Sequence, residues 1–214
     1  FRSQDGVLVY ASTSKVFGSP VPALVNESSP RSSSCIYTVT KNAATDLIQY
    51  YRARYSIRAG VVWTFNHESP RRTGDFFVPR VVSVLARAIL GEQVREQVVN
   101  LRFWCDWGDA SEYMDLFCDI AEQAAGEDLV LATGVATWGE DLARSLFAEH
   151  GLDVNAYISE RSPAQIVRAA GPRVDLAKLQ STLGRIPRRN IRDVCNDILR
   201  EKHPEAWAAT RASR

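Results

Sequence analysis

Residues 6–14 read Gly6-Val7-Leu8-Val9-Tyr10-Ala11-Ser12-Thr13-Ser14, an apolar run that ends in three hydroxyl side chains. A strand buried on both faces has this pattern, because both rows of its side chains meet apolar neighbours. Apolar residues then recur at helical spacing from Tyr37 to Tyr55, and Arg58–Phe65 is a second apolar strand. A helix between two strands is the crossover that parallel pairing needs. The pattern therefore predicts a βαβ unit of a parallel sheet.

The second half of the chain alternates helical and strand patterns in the same way. Gly91 and Gly151 follow two of the helical patterns, as glycines commonly do just past helix ends. The alternation predicts an α/β fold, with a frayed tail over 206–214. The predicted helices are 78–90, 111–124, 138–150, 174–183 and 191–199, and the predicted strands are 98–101 and 129–131.

The composition is that of an ordinary globular protein and excludes several classes of function. Hydrophobic residues make up 45% of the 214, and 26 Lys and Arg against 25 Asp and Glu leave a net charge of +1. No overall field therefore favours nucleic acid or an anionic membrane surface. The apolar stretches are shorter than the roughly 20 residues that cross a bilayer. The arginine cluster over 185–192 lacks interleaved aromatic residues, so we interpret it as a solvated helix start.

The cysteines and histidines give no sign of a metal site. The four cysteines lie far apart without a C-x-x-C pair, which predicts reduced thiols in a cytoplasmic protein. The three histidines are dispersed too, without a spacing that holds zinc. We therefore expect no metal, no membrane and no nucleic-acid partner.

Tyr37 and Lys41 have a spacing that is compatible with catalysis. Side chains at i and i+4 share one face of a helix, where an ammonium favours the phenolate form of a tyrosine. Such a tyrosine can act as general base in the oxidation of an alcohol while a nicotinamide takes the hydride. Thr13 and Asn66 follow the two strands at the carboxyl edge where α/β sheets bind ligands. Taken alone, the Tyr–Lys spacing also fits a surface aromatic beside a solvated lysine.

Five blocks of sequence belong together: Ala11–Gly18, Tyr37-x-x-x-Lys41, Phe65–Arg72, Asp106–Ala110 and Ala132–Gly134. Their order resembles the extended short-chain dehydrogenase/reductases, and specifically the GDP-mannose 4,6-dehydratase family. The resemblance extends from about Val7 to about Pro187, and its most specific block is N-H-E-S-P-R-R. It implies the C-terminal part of a Rossmann-like, doubly wound parallel sheet with a smaller mixed α/β substrate-binding portion.

The resemblance implies a role for each matching residue. Thr13 would polarise the sugar 4-hydroxyl, Tyr37 would be the base, and Lys41 would be its electrostatic partner and a contact of the cofactor ribose. The cofactor would be NADP or NAD, contacted by Tyr37 and Lys41 and also by His67 and Arg72. The substrate would be a nucleotide sugar, GDP-linked in the family.

The substrate-binding residues implied by the resemblance come from two further segments. Asn66 would contact the phosphates of the nucleotide sugar, and Val78 matches a residue near the nucleotide. The family has additional charged residues that are missing here, and in the segment matched on Pro163, Ser162 stands where a substrate-side arginine belongs. Arg80, and Arg161 one residue earlier than the match, would then hold the diphosphate. Each lost charge-assisted contact would weaken binding by a factor of about ten to a hundred.

Lys15 is the main departure from the family pattern. The family has a glutamate here that takes the proton from the sugar C5 before water leaves C6, and an ammonium cannot accept a proton at neutral pH. Lys15 therefore argues against dehydration. An epimerase or reductase that needs only the hydride step stays open, as does a non-catalytic scaffold relative.

The chain contains no glycine-rich strand–turn–helix fingerprint for a dinucleotide. The resemblance therefore leads us to expect that an N-terminal part of the family's fold precedes Phe1. We expect 1–75 to be the second half of a cofactor domain with the catalytic residues, and 76–205 to be mainly a substrate-binding portion with a returning Rossmann strand and helix. Family members commonly pair through the Y-x-x-x-K helix, which implies a homo-oligomer, dimer or tetramer. The nucleotide, the sugar and the choice of NAD or NADP stay open.

Overall fold

A computed structural model of the chain describes residues 6–18, 21–161 and 168–212. The strands are β1 (Val7–Thr13), β2 (Leu24–Val25), β3 (Arg58–Thr64), β4 (Asn66–Glu68), β5 (Glu96–Val98), β6 (Trp104–Asp109), β7 (Leu129–Leu131), β8 (Ala136–Trp138), β9 (Ile158–Glu160) and β10 (Arg173–Val174). The α-helices are α1 (Ile36–Tyr55), α2 (Phe77–Ile89), α3 (Ala110–Gln123), α4 (Gly139–Ala148), α5 (Val154–Tyr157), α6 (Ala177–Leu183), α7 (Ile191–Lys202) and α8 (Pro204–Ala212), and Ser14–Phe17 form a 3-10 helix.

The chain folds as two compact units, each drawn from three segments. Unit 1 comprises Phe1–His67, Asp106–Val135 and Pro172–Arg188. Unit 2 comprises Glu68–Cys105, Ala136–Gly171 and Arg189–Arg214.

Unit 1 is built on a parallel sheet with the strand order β1-β3-β7. β1 and β3 pair in register from Val7 opposite Arg58 to Thr13 opposite Thr64, and β3 pairs with β7 in the same direction. Helix α1 is the crossover between β1 and β3 and packs against both. The predicted βαβ unit and the α/β class are therefore confirmed.

Apolar side chains from the sheet and its helices form the core of unit 1. Val61, Val62 and Leu131 of the sheet have no exposed surface, and neither have Tyr113 and Ile120 of α3. Burying a side chain of this size contributes roughly 1.5 to 3 kcal/mol relative to leaving it in water. The short β2 and β10 form a second parallel pair in this unit.

A charged pair joins helix α1 to the sheet of unit 1. Arg52 donates to both carboxylate oxygens of Asp128 at 2.7 Å. It also donates to the carbonyl oxygens of Ala59, at 3.0 Å, and Gly126, at 2.7 Å. Asp128 in turn accepts from the backbone N–H of Val61 at 2.9 Å. These bonds hold the pKa of Asp128 below its ordinary value despite its burial, with Arg52 the strongest lowering influence.

Unit 2 is mainly helical. Helix α2 packs against α4, α7 and α8, and its inner face includes Val81, Val82 and Leu85, each at most 2% exposed. β5 and β9 form a parallel pair. The strands of the remaining three-stranded sheet, in the order β4-β6-β8, are not confined to unit 2. Among the described helices, none has the combination of length and apolar character that crossing a bilayer requires.

Three predicted elements differ from the structure. The strand expected over 98–101 is Glu96–Val98, because the N–H of Leu101 donates to the Glu160 carboxylate instead of to a strand. The helix expected from Val174 begins at Ala177, since Arg173–Val174 pair with β2. The tail expected to fray is helix α8 as far as Ala212, and Ala206 is fully buried there.

Gly60 lies in β3, where a methyl group would overlap the backbone carbonyl oxygen of Glu127. We expect Gly60→Ala to lower the free energy of unfolding by about 2 to 4 kcal/mol, because backbone cannot rotate away as a side chain can. Urea denaturation measures this change. Gly74→Ala is the matched control, since a Cβ at Gly74 meets nothing within 4 Å. Equal losses in the two variants would contradict the prediction.

Glu68, the last residue of β4, is a carboxyl that is only 3% exposed. Its Oε2 and the Nε of Arg72 lie 3.7 Å apart, and neither atom has a hydrogen-bond partner among the described residues. Burial raises the pKa of Glu68 to about 7, against the opposing effect of the Arg72 guanidinium. Burial also raises the pKa of Cys195 in the same unit, and the charge of Glu68 adds to this effect.

Glu68→Gln tests the cost of this buried carboxyl. The native pKa of about 7 lies above the ordinary value of 4.5, so wild-type stability falls as the pH rises from about 4.5 to about 7 and then stays level. We expect the variant to gain up to about 3 kcal/mol over the wild type across that range. Urea unfolding at a series of pH values measures the difference. Parallel pH profiles for the two proteins would show that Glu68 is not desolvated.

Candidate active site

Thr13 ends β1 and caps the 3-10 helix that begins at Ser14. Its Oγ1 accepts a hydrogen bond from the N–H of Lys15 at 3.3 Å. A hydroxyl that accepts in this way still has its own proton to donate. Neighbouring Ser12 is 3% exposed, and its Oγ has no hydrogen-bond partner among the described residues. The carboxyl edge of β1 therefore presents a hydroxyl that can donate to a ligand.

Tyr37 and Lys41 lie in the first two turns of α1. The Lys41 Nζ is 5.8 Å from the centre of the Tyr37 ring and 4.9 Å from that of Tyr10. The same Nζ donates to the carbonyl oxygen of Ala11 in β1 at 2.8 Å. The Tyr37 side chain is 45% exposed. The structure thus brings Tyr37 and Lys41 together and ties Lys41 to the strand that carries Thr13.

The N-terminus of α1 carries positive potential beside this group. Cys35 caps the helix, and the first turn contains no acidic residue. Hydrogen bonds from the backbone and hydroxyl of Thr38 lower the pKa of the exposed Cys35 thiol, and the charge of Lys15 adds to this effect. The Lys15 side chain is itself exposed. The Lys15 ammonium therefore acts electrostatically on the N-terminus of α1, where Cys35 precedes Tyr37 by two residues.

Asn66 and His67 follow β3 at the same edge of the sheet. Asn66 is exposed. His67 contacts the carbonyl oxygen of Phe65 through Nδ1 at 3.0 Å, so Nδ1 carries the proton there because a carbonyl only accepts. The imidazole ring lies 5.1 Å from the ring of Tyr113. The backbone of the strand end therefore fixes the orientation of His67.

Asp106 links two sequence blocks that are distant along the chain. Its carboxylate accepts from the N–H and hydroxyl of Thr133, at 3.0 and 2.7 Å, and from the N–H of Gly134 at 2.8 Å. Burial raises the pKa of Asp106, and these hydrogen bonds oppose the rise. A Cβ at Gly108 would overlap the ring of Tyr113. The Asp-Trp-Gly and Ala-Thr-Gly blocks thus have a structural role in holding the loop after β7.

The other four predicted site residues belong to unit 2. The guanidinium of Arg72 stacks on Phe76, 3.6 Å from the ring centre. Val78 is 1% exposed and lies on the core face of α2. The Arg80 Nε is 3.9 Å from a Glu96 oxygen. The N–H of Arg161 donates to the Val98 carbonyl oxygen at 2.8 Å.

The structure brings some of the predicted site residues together, and the role of each residue stays a prediction. Thr13, Lys15, Tyr37 and Lys41 gather at the end of β1. Ser162 and Pro163, on which the match of Arg161 depends, lie outside the described residues. Within the described ranges, no cluster of three or more His, Cys, Asp or Glu side chains could hold a metal ion.

Glu68 is a residue whose burial the sequence patterns do not predict. The signal that could have found it is the i, i+4 spacing of Glu68 and Arg72 within the N-H-E-S-P-R-R block. Its burial could not be foreseen, because the block reads as polar throughout.

Solved structures with the same fold agree with this architecture. The RMD protein of Pseudomonas aeruginosa, in complex with NADPH, superposes with a TM-score of 0.81 at 20% identity over 95% of this chain and 68% of its own. MoeE5, in complex with UDP-glucuronic acid and NAD, gives a TM-score of 0.72 at 22% identity over 96% of this chain and 65% of its own.

Sequence comparison identifies the family. The GDP-mannose 4,6-dehydratase of Sinorhizobium fredii (strain HH103) is 32% identical over 210 residues, which cover 89% of this chain and 60% of that relative. A GDP-mannose 4,6-dehydratase of Sordaria araneosa is 32% identical over 67% of this chain and 26% of its own length. The chain thus spans less than two thirds of these relatives. The family model described as GDP-mannose 4,6 dehydratase matches residues 2–195, and the chain therefore belongs to the GDP-mannose 4,6-dehydratase family.

Proposed function

We propose that the protein is an NAD(P)-dependent enzyme that oxidises C4 of a nucleotide-linked sugar. The observation that carries the proposal is the placement of the Lys41 ammonium beside the Tyr37 ring while it is bonded to the β1 backbone. That placement fixes a cation next to an accessible phenol at the carboxyl edge of a parallel sheet, where ligands of such folds bind.

The residues at the end of β1 have separate proposed roles in the oxidation of an alcohol. Tyr37 as phenolate accepts the proton of the sugar 4-hydroxyl, and the Lys41 charge stabilises that phenolate. The Thr13 hydroxyl donates a hydrogen bond to the same sugar oxygen and orients it. A bound NADP or NAD supplies the acceptor for the hydride that leaves C4.

Family membership and the fold neighbours support the choice of cofactor and substrate class. The RMD protein was solved with NADPH, and MoeE5 with NAD and UDP-glucuronic acid. The residues proposed to contact the cofactor are Tyr37, Lys41, His67 and Arg72. Arg72 fits this role because its buried Nε has no hydrogen-bond partner among the described residues. Asn66, Arg80 and Arg161 are proposed to contact the nucleotide sugar, which is GDP-linked in the family's name. The Val78 side chain is buried, so Val78 is proposed to contribute through its backbone.

Because Lys15 replaces the family's carboxylate, the oxidation at C4 could lead to a product other than the dehydrated sugar. Without a carboxylate at this position, an epimerase or reductase that uses only the hydride step is the alternative to dehydration. We also propose that residues before about 75 bind the cofactor and that those after it mainly bind the substrate. The four free cysteines fit a protein of the cytoplasm, and we propose that location for it.

Incubation of the full-length protein with GDP-mannose and NADP tests the proposed function. Analysis of the nucleotide sugars by mass spectrometry and NMR distinguishes a 4-keto-6-deoxy product, which would show dehydration, from an epimer or a reduced sugar. Calorimetry with NADP tests the scaffold alternative. Absence of both cofactor binding and turnover would favour a non-catalytic relative.

Tyr37→Phe removes the proposed base while keeping the ring. We expect turnover to fall by about 10²- to 10⁴-fold, since that is the usual contribution of a positioned general base. Nucleotide-sugar and NADP affinities should stay within about threefold, because the lost hydroxyl acts in the chemical step. Tyr55→Phe is the matched control in the last turn of the same helix, where the side chain is 58% exposed. Equal turnover by the Tyr37 and Tyr55 variants would exclude Tyr37 as the base.

We also propose that two copies of the protein pair through α1. Apolar side chains on this helix are exposed at three- and four-residue spacing, so they form one stripe. Ile36 is 78% exposed, Val39 43%, Leu47 59% and Tyr50 60%, and Ala43 between Val39 and Leu47 is exposed too. A stripe of this length is costly to leave in water, and a second copy would present the same stripe to it.

Leu47→Arg places a charge in the middle of this stripe. We expect it to dissociate the dimer, with a dissociation constant at least about 100-fold higher, because two like charges would meet across a symmetric contact. Sedimentation equilibrium measures the association. Gln123→Arg, at an exposed position of α3, is the control that adds the same charge elsewhere. A monomeric wild-type protein would contradict the proposed pairing.

A further inference from the structure

Lys15 stands at an exposed position in a turn that is otherwise buried. In the 3-10 helix after β1, Ser14, Val16 and Phe17 are buried, and Thr13 before them is 9% exposed. The Lys15 side chain points out of this turn, and within the described ranges no carboxylate pairs with its ammonium. The ammonium is therefore available to a ligand that reaches the end of β1.

The surroundings of Lys15 add further positive potential. The charge of Lys15 acts on Cys35, which caps α1 two residues before Tyr37. The N-terminus of this 20-residue helix has no acidic residue in its first turn, so the positive end of its dipole is not neutralised. Lys41 adds a second ammonium, hydrogen-bonded to a neutral carbonyl group. The complement of this surface is an anionic group on the ligand.

The position of Lys15 along the chain indicates which part of a sugar carries that anion. Thr13 and Tyr37 engage the 4-hydroxyl in the proposed function, and Lys15 is two residues from Thr13. C5 and its substituent C6 are next to C4 in a pyranose ring. The diphosphate is attached at C1, on the opposite side of the ring. The other ring neighbour of C4 is C3, which carries a neutral hydroxyl, whereas C6 can carry a carboxylate. An anionic group beside C4 is therefore a C6 carboxylate.

We propose that Lys15 selects a nucleotide-linked uronic acid, a sugar with a carboxylate at C6, over the corresponding neutral hexose. This inference rests on the proposed function and names the substrate class of the same site. A charge-assisted hydrogen bond from the ammonium to the carboxylate would form, whereas a neutral C6 hydroxymethyl group offers a weaker partner. Such a substrate has no C6 hydroxyl to lose, which agrees with a cation in place of a base at this position. The chemistry is then confined to C4, and the C6 carboxylate is retained.

Calorimetry on the full-length protein with NADP present tests the proposal. The ligands are two pairs that differ at C6, GDP-mannose with GDP-mannuronic acid and UDP-glucose with UDP-glucuronic acid. For the pair whose nucleotide is accepted, we expect the wild type to bind the uronic acid about 10- to 100-fold tighter. Lys15→Met should reduce this ratio to within about threefold of one, and Lys15→Glu should favour the hexose. Higher salt should weaken the wild-type preference.

The matched control is Arg58→Met. Arg58 is exposed and pairs with Val7 at the opposite end of the sheet from Thr13, so its loss removes the same charge away from the site. Its uronic acid preference should equal that of the wild type. A wild-type preference for the hexose, or a ratio unchanged in Lys15→Met, would overturn the selection by Lys15 while leaving the proposed function intact. Failure of all four nucleotide sugars to bind would overturn the proposed function itself, and this inference with it.

Discussion

The bidentate pair of Arg52 and Asp128 is the constraint on which unit 1 depends. It links the last turn of α1 to the start of β7, and Asp128 also accepts from the N–H of Val61 in β3. A helix anchored at its C-terminal end and bonded to β1 through Lys41 near its N-terminal end has little freedom to slide along the sheet. The position of Tyr37 relative to the end of β1 therefore follows from the bonds of Arg52, Asp128 and Lys41, and not from apolar packing alone. Apolar contacts lack direction, whereas these bonds fix both ends of the helix.

The sequence predicts the regular part of this fold because long apolar patterns have one structural solution. Strands β1 and β3 are continuous apolar runs, and α1 shows a helical period over 20 residues. Short strands could not be predicted. β2 and β10 have two residues each, which is too few for a pattern, and they form because they pair with each other. The boundary at Leu101 depends on a side-chain bond from Glu160, 59 residues away, which no local pattern can reveal. Helix α8 is likewise stabilised by burial of Ala206 against other helices.

The candidate site divides in the same way between what local sequence carries and what tertiary structure creates. The pairing of Tyr37 with Lys41 follows from their i, i+4 spacing in a helix, and so it could be predicted. The bonds of Asp106 to Thr133 and Gly134 join two blocks that resemblance identified as important without giving the reason. Glu68 could not be predicted as a buried carboxyl, because its pKa of about 7 comes from desolvation by the folded unit. Burial depends on how the whole chain folds, so the polar sequence around Glu68 does not indicate it.

The turn after β1 combines buried residues with one exposed position, so a substitution at that position can alter the proposed site without disturbing the core. Thr13 caps the 3-10 helix, and Ser14, Val16 and Phe17 are fixed by burial, so substitutions there would disturb the core. Position 15 is exposed and contributes to the turn through its backbone N–H, which every residue except proline provides. In the proposed site, exchanging a carboxylate for an ammonium at this exposed position would reverse the charge presented to a ligand and would leave the buried residues of the turn in place. Selection for a new substrate can therefore act on position 15 without loss of stability, whereas Tyr37, Lys41 and Thr13 are held by the geometry of the sheet.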